Sequence, residues 1–188
     1  VPGLGWEEGF VRAVSSARVV VLVMSRKTFV NSPKYDVSKL GEASGGDNVI
    51  LEYELVLELF DLGRVKAVLP VLVGDLKNDA DMGGDVYTHF FSSGCLPPLP
   101  DVKVPSIQSK ALSYLRSDPG IGSILPPDEL RCADVPAGTP SLLAGRTVKQ
   151  TVSACLSFQG HFVCGPKMKS VEDAVERVWQ TNEMFDVD

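Results

Sequence analysis

Two stretches of the chain are apolar without a break, and they anchor the pattern of everything around them. Arg18–Ser25 (RVVVLVMS) and Ala67–Asp75 (AVLPVLVGD) are short, β-branched and unalternating. Such runs predict strands of a parallel sheet whose two faces are both covered. Each follows a stretch of helical period. From Trp6 to Ala17, WEEGFVRAVSSA places Trp6, Phe10, Ala13, Val14 and Ala17 on one stripe, with Glu7 and Glu8 in the first turn where the helix dipole favours acids. Asp47–Asp61 (DNVILEYELVLELFD) reads as a second helix that is apolar nearly all round and carries four acids. At roughly 100° per residue, Glu54, Glu58 and Asp61 fall on one side. Glu52 falls nearly opposite, among Leu55, Val56, Leu59 and Leu62.

Helix, strand, helix, strand with short connections predicts an α/β sheet with right-handed crossovers. Between the two units, Ser25–Pro33 reads as an irregular segment or single helical turn, and Tyr35–Asp47 as a polar loop broken by Gly41, Gly45 and Gly46. Beyond the second strand, Lys77–Pro105 has little period, with a short helix expected at Tyr87–Phe91. Ser106–Arg116 is amphipathic. Arg146–Gln159 and Ser170–Phe185 read as two further helices joined by GHFVCGPKMK, each with an apolar stripe that needs cover. The division predicted is an α/β core over 1–117, a proline- and glycine-rich connection over 118–145, and a helical extension over 146–188 that packs on the core.

Composition narrows the function classes. At 188 residues with 44% hydrophobic and 22% charged positions, the chain has room for one globular core and an appendage. Its 18 basic and 24 acidic residues give a net charge of −6 without a block of like sign, so no electrostatic footprint for nucleic acid is present. No apolar run approaches the ~18 residues of a membrane span. Cys95, Cys132, Cys155 and Cys164 are scattered, which reads as reduced thiols in a cytoplasmic protein. His89 stands alone and His161 forms only a lone HxxC with Cys164, so no metal site is predicted. No phosphate loop of the GxxxxGK[ST] type and no GxSxG elbow occurs.

The ordered set of motifs resembles a Toll/interleukin-1 receptor (TIR) domain. PGLGWEEGFVRAVSSARVVVLVMS is similar to that family's loop, helix and Ser-ended strand, through Pro2, Gly3, Trp6 and Ser25. EYELVLEL is similar to its glutamate helix and VLPVLVGD to the strand that follows, so the resemblance covers about 1–115. It implies a flavodoxin-like parallel sheet with flanking helices. It also implies that the family's first strand, first helix and second strand belong ahead of Val1, so that the chain is N-terminally incomplete. A further departure is that Ile50–Leu51 stand where the family has Trp-Cys before its glutamate.

Many members of that family hydrolyse or cyclise NAD+, a substrate rather than a cofactor, at the nicotinamide–ribose bond. The transition state gathers positive charge on the ribose, and a carboxylate beside the sugar stabilises it. By motif context Glu54 is the expected catalytic carboxylate. By position among apolar neighbours Glu52 is the rival, because a carboxylate desolvated there has its pKa raised. Glu58 and Asp61 read as solvated acids on a helix face. Trp6 and Ser25 are expected at the substrate, against the plainer readings of a core aromatic and a strand cap. The loop Pro2, Gly3, Leu4 and Gly5 is expected to gate the cleft or to contact other TIR domains or a second copy. A catalytic module and a non-catalytic interaction scaffold both follow from the resemblance. A receiver domain fits less well, because Arg18–Ser25 ends in Ser rather than in an acceptor Asp.

Overall fold

The computed structural model describes residues 6–32, 35–45, 47–73, 75–79, 84–88, 98–122, 125, 145–158 and 162–164, with side chains of 6–8, 27, 30–32, 35, 75–79, 84–88 and 162–164 left aside. The chain is mixed α/β around a parallel sheet. Helix α1 (Trp6–Ser16) leads into β1 (Val19–Ser25). A single helical turn, α2 (Arg26–Phe29), and a two-stranded ladder of β2 (Val30–Ser32) and β3 (Tyr35–Asp36) follow. Helix α3 (Asn48–Asp61) then feeds β4 (Ala67–Val73).

Strand β1 pairs with β4 in parallel along its whole length, from Val19 opposite Ala67 to Ser25 opposite Val73. A third strand, β7 (Phe162–Cys164), joins the other edge of β4, giving the order β1-β4-β7. Its pairing starts at Val71, one residue past Pro70, which has no N–H to give to a ladder. The segment read as a connection between two helices therefore supplies a strand. Between β4 and α4 (Pro105–Ser117) lies an antiparallel pair, β5 (Asp75–Asp79) and β6 (Gly84–Thr88). A strand thus stands where a helix was expected at Tyr87 and Thr88. After α4 come the short α5 (Pro119–Gly122) and then α6 (Val148–Ser157). The helix expected over 170–185 lies outside the described residues.

Helix α3 is the hub. Nine of its 14 residues are buried, from Ile50 to Leu59, and it packs against α1, α4 and α6. Asp47 starts it, its carboxylate accepting from Ile50 N–H at 3.0 Å, and Gly63 at φ +69° ends it. Leu55, Val56 and Leu59 share one core with Leu22 and Met24 of β1, Ile107, Ala111 and Leu115 of α4, and Val152 and Cys155 of α6. The stripe of α1 is shifted from the one expected. Val11 and Val14 are buried, and Ala13 faces outward.

One expectation about the sheet is overturned. Leu22 and Met24 of β1 face inward at 7% and 0% exposure, but Val21 and Val23 are 40% and 60% exposed. An unbroken apolar run does not by itself put cover on both faces. Strand β1 is an edge strand among the described residues.

Candidate functional site

The chemistry-bearing side chains gather where α6 lies on α3. The approach to α6 is built by local sequence. Gly145 takes φ +72°, and a Cβ there would lie 3.0 Å from Gln108 Nε2, so the tight turn needs glycine. Gln108 of α4 donates to the Arg146 carbonyl at 2.9 Å. Thr147 caps α6 with a reciprocal box, its hydroxyl accepting from Gln150 N–H at 3.2 Å while Gln150 Oε1 accepts from Thr147 N–H at 2.8 Å. Thr147 also donates to Asp101 at 2.8 Å, and the first two amides of the helix donate to the Val102 and Pro100 carbonyls, each at 3.0 Å. This fixed entry turns Arg146 toward α3.

The Arg146 guanidinium meets three carboxylates one and two turns apart along α3. Nη1 donates to Glu54 Oε2 at 3.0 Å and to Glu58 Oε1 at 2.5 Å, and Nη2 donates to Asp61 Oδ2 at 2.8 Å. Glu54 and Glu58 are 2% and 0% exposed, while the Asp61 side chain is 46% exposed. Thr151 Oγ1 lies in a short hydrogen bond with Glu54 Oε1 and also reaches the Thr147 carbonyl at 3.0 Å. Burial pushes the Glu54 carboxyl above the usual range, with Thr151 and Arg146 pulling against it. Burial alone lowers the Arg146 pKa, yet the Glu58 and Glu54 charges outweigh it and the net direction is upward. Cys155, one turn beyond Thr151, is pushed up to about 12 by burial and by the Glu54 charge.

Glu54 is therefore tied on both oxygens. The space it borders, with Ile50, Val104, Ile107 and Val148 around it, measures about 10 Å³. That is room for about one water and far short of the ~300–1,000 Å³ of small-molecule sites. Glu58 corrects the sequence reading outright, being the most buried acid of α3 rather than a solvated one. The reading failed because Glu58 has no solvated face; Arg146, 88 residues away and just ahead of α6, reaches it. Arg146 was read only as a residue for packing. The signal that could have found it was three acids spaced i, i+4, i+7, a row that in a buried helix calls for a cation.

Glu52 sits on the other side of α3. It is half-buried, and no hydrogen bond or salt bridge joins it to another described residue. Desolvation raises its pKa, and the Asp47 charge adds to that. Ser25 closes β1 by bonding into the next turn. Its Oγ lies 3.1 Å from Thr28 Oγ1 and accepts from Thr28 N–H at 3.3 Å, which is the strand-cap role. Trp6 is the first residue of α1, and its side chain lies outside the described residues, as do Pro2, Gly3, Leu4 and Gly5. A hollow of about 260 Å³ between α1 and α4 is lined by Arg12, Ser15, Tyr114 and Asp118 and borders none of these positions among the described residues. Among the described residues no group of three metal-ligating side chains occurs, and no helix is long and apolar enough to cross a membrane.

No family model, curated protein or solved structure matches the chain.

Proposed function

We propose that the chain is a TIR-type signalling module of the cytoplasm that cleaves the nicotinamide–ribose bond of NAD+ through Glu52, not Glu54. The motif order supports the family reading, and the parallel pairing of β1 with β4 is what a flavodoxin-like sheet requires of those two strands. The observation that carries the choice of carboxylate is the engagement of Glu54 by Arg146 and Thr151 inside the α3–α6 seam. A carboxylate held that way has no oxygen to offer a ribose. Glu52 is desolvated, bonded to none of the described residues, and placed in the first half of a rigid helix.

The chemistry asked of Glu52 is electrostatic. As nicotinamide leaves as a neutral base, the ribose takes on oxocarbenium character, and a negative oxygen nearby lowers the energy of that state. Partial burial strengthens the attraction by lowering the local dielectric. The group must be ionised to act, so activity rises with pH through a titration displaced above the ordinary value for glutamate. Nicotinamide release from NAD+ by the full-length natural protein tests the reading. Glu52→Gln is expected to abolish release and Glu54→Gln to spare it; release at the wild-type rate by Glu52→Gln sinks the assignment.

A second reading, a scaffold that binds other TIR domains or its own copies through the 1–6 loop, has one observation in its favour. The space beside Glu54 measures about 10 Å³, and the hollow of about 260 Å³ between α1 and α4 borders neither Glu52 nor Glu54 among the described residues. Concentration-dependent assembly with no nicotinamide release at any concentration would select it.

A further inference from the structure

The hollow between α1 and α4 takes no part in the chemistry assigned to Glu52. It measures about 260 Å³ and is walled by Val11, Tyr114 and Pro119, with Arg12, Ser15 and Asp118 as its charged and polar groups. A cavity of about 150 Å³ is enough to hold a benzene ring, so this space admits an aromatic body together with a polar head. Apolar walls with a few placed polar groups are the usual make-up of a small-molecule site. The hollow carries one charge of each sign, and the two do not pair. Neither Arg12 nor Asp118 makes an ion pair with another described residue. Opposite charges that border one space without meeting are each open to a third group.

Asp118 is held in place all the same. Its Oδ1 accepts from Gly120 N–H at 2.9 Å and from Ile121 N–H at 3.2 Å, which leaves Oδ2 outside those bonds. The turn that follows is fixed from below. Arg64 Nη2, just past the end of α3, donates to the Gly120 carbonyl at 2.7 Å, and Ile121 is buried in the core. A carboxylate oriented beforehand gives up little freedom when a ligand arrives. Ser15 supplies an independent observation. Its Oγ is buried and has no hydrogen-bond partner among the described residues, a condition that calls for an explanation in a folded chain. Ser15 follows Arg12 by three residues, so the two are neighbours on the surface of α1.

We propose that this hollow binds a free amino acid with an apolar or aromatic side chain. The α-carboxylate sits on the Arg12 guanidinium, with the Ser15 hydroxyl turning about its one side-chain bond to donate to the same group. The α-ammonium sits on Asp118 Oδ2, and the side chain lies along Val11, Tyr114 and Pro119. The pair of charges sets the specificity. A ligand with only one of them leaves the opposite group of the site without a partner, and that difference discriminates between ligands. The site stands apart from the NAD+ reading, because the hollow borders neither Glu52 nor Glu54 among the described residues.

The test is NMR titration of the 15N-labelled full chain with three probes: phenylalanine, 3-phenylpropionate, which lacks the ammonium, and phenethylamine, which lacks the carboxylate. Phenylalanine at millimolar concentration is expected to shift the amide resonances of Ser15, Tyr114 and Asp118. It is expected to bind about tenfold more tightly than either analogue, the weight of one charge-assisted hydrogen bond. Arg12→Gln is expected to lower the phenylalanine affinity by about the same factor and to spare phenethylamine. Asp118→Asn keeps an oxygen for the Gly120 and Ile121 amides, so the turn persists; it is expected to weaken phenylalanine and to spare 3-phenylpropionate. Ser15→Ala is expected to weaken phenylalanine while the melting temperature holds or rises, because the hydroxyl it removes is buried without a bond. A lower melting temperature there would return the hydroxyl to the fold and overturn its role. No shift at the three amides, equal affinity for the three probes, or phenylalanine binding unchanged in Arg12→Gln and Asp118→Asn overturns the proposal.

Discussion

Helix α3 has two polar edges, and the fold treats them differently. On the edge of Glu54, Glu58 and Asp61, a cation from 85 to 92 residues away arrives with a second helix and takes up all three carboxylates. On the edge of Glu52, no hydrogen bond or ion pair to another described residue forms, and burial raises the carboxyl's pKa. The first edge has the marks of a structural joint, with buried charges paired, hydroxyls engaged and about 10 Å³ of space left. The second holds a half-buried carboxyl, desolvated and bonded to none of the described residues. The difference teaches that strong perturbation of a carboxylate does not by itself locate chemistry. Both Glu52 and Glu54 have raised pKa values, for the same first cause, yet Glu54 is tied on both oxygens while Glu52 is bonded to none of the described residues.

The comparison breaks most sharply at Arg146. Arg146→Met removes the cation and leaves Glu58 in the interior without its guanidinium, so a loss of about 3–5 kcal/mol is expected in urea unfolding. An effect below ~1 kcal/mol would mean the joint is not what holds α6. Thr147→Ala, which removes the hydroxyl half of the capping box at the mouth of the same joint, is expected to cost about 1 kcal/mol by thermal or urea unfolding. Smallest of all is Glu52→Gln, expected to leave stability within about 0.5 kcal/mol while abolishing nicotinamide release. A large stability loss there would turn Glu52 into a second structural acid and remove the contrast between the two edges.

Much of the fold was legible because it is written in local periods. The continuous runs at 18–25 and 67–75 gave the parallel pair, and α3 begins and ends within a residue of its expected limits because Asp47 is a side-chain cap and Gly63 a left-handed stop. The helix expected over 106–116 was found one residue longer at each end. Less legible were the short strands. Phe162–Cys164 is three residues long, and its place in the sheet depends on Val71–Val73, some 91 residues earlier, which no window of sequence contains. The exposed Val21 and Val23 were misjudged for a related reason. A β-branched run specifies a strand, and what covers each of its faces is supplied by other elements.

By itself the sequence determined α3 as an apolar helix with four acids, and it determined their angular placement, because the rise and turn of a helix are local properties of the backbone. Which edge would become interior was decided only by the tertiary structure. That choice rests on a glycine turn at Gly145, a capped α6 and the reach of one guanidinium across the seam, contacts between residues far apart in the chain. Charge in a low dielectric is stabilised only by a partner at contact distance, and such a partner is a fact of packing rather than of spacing. The four acids were readable from the start; their division into three that join the fold and one held apart was not.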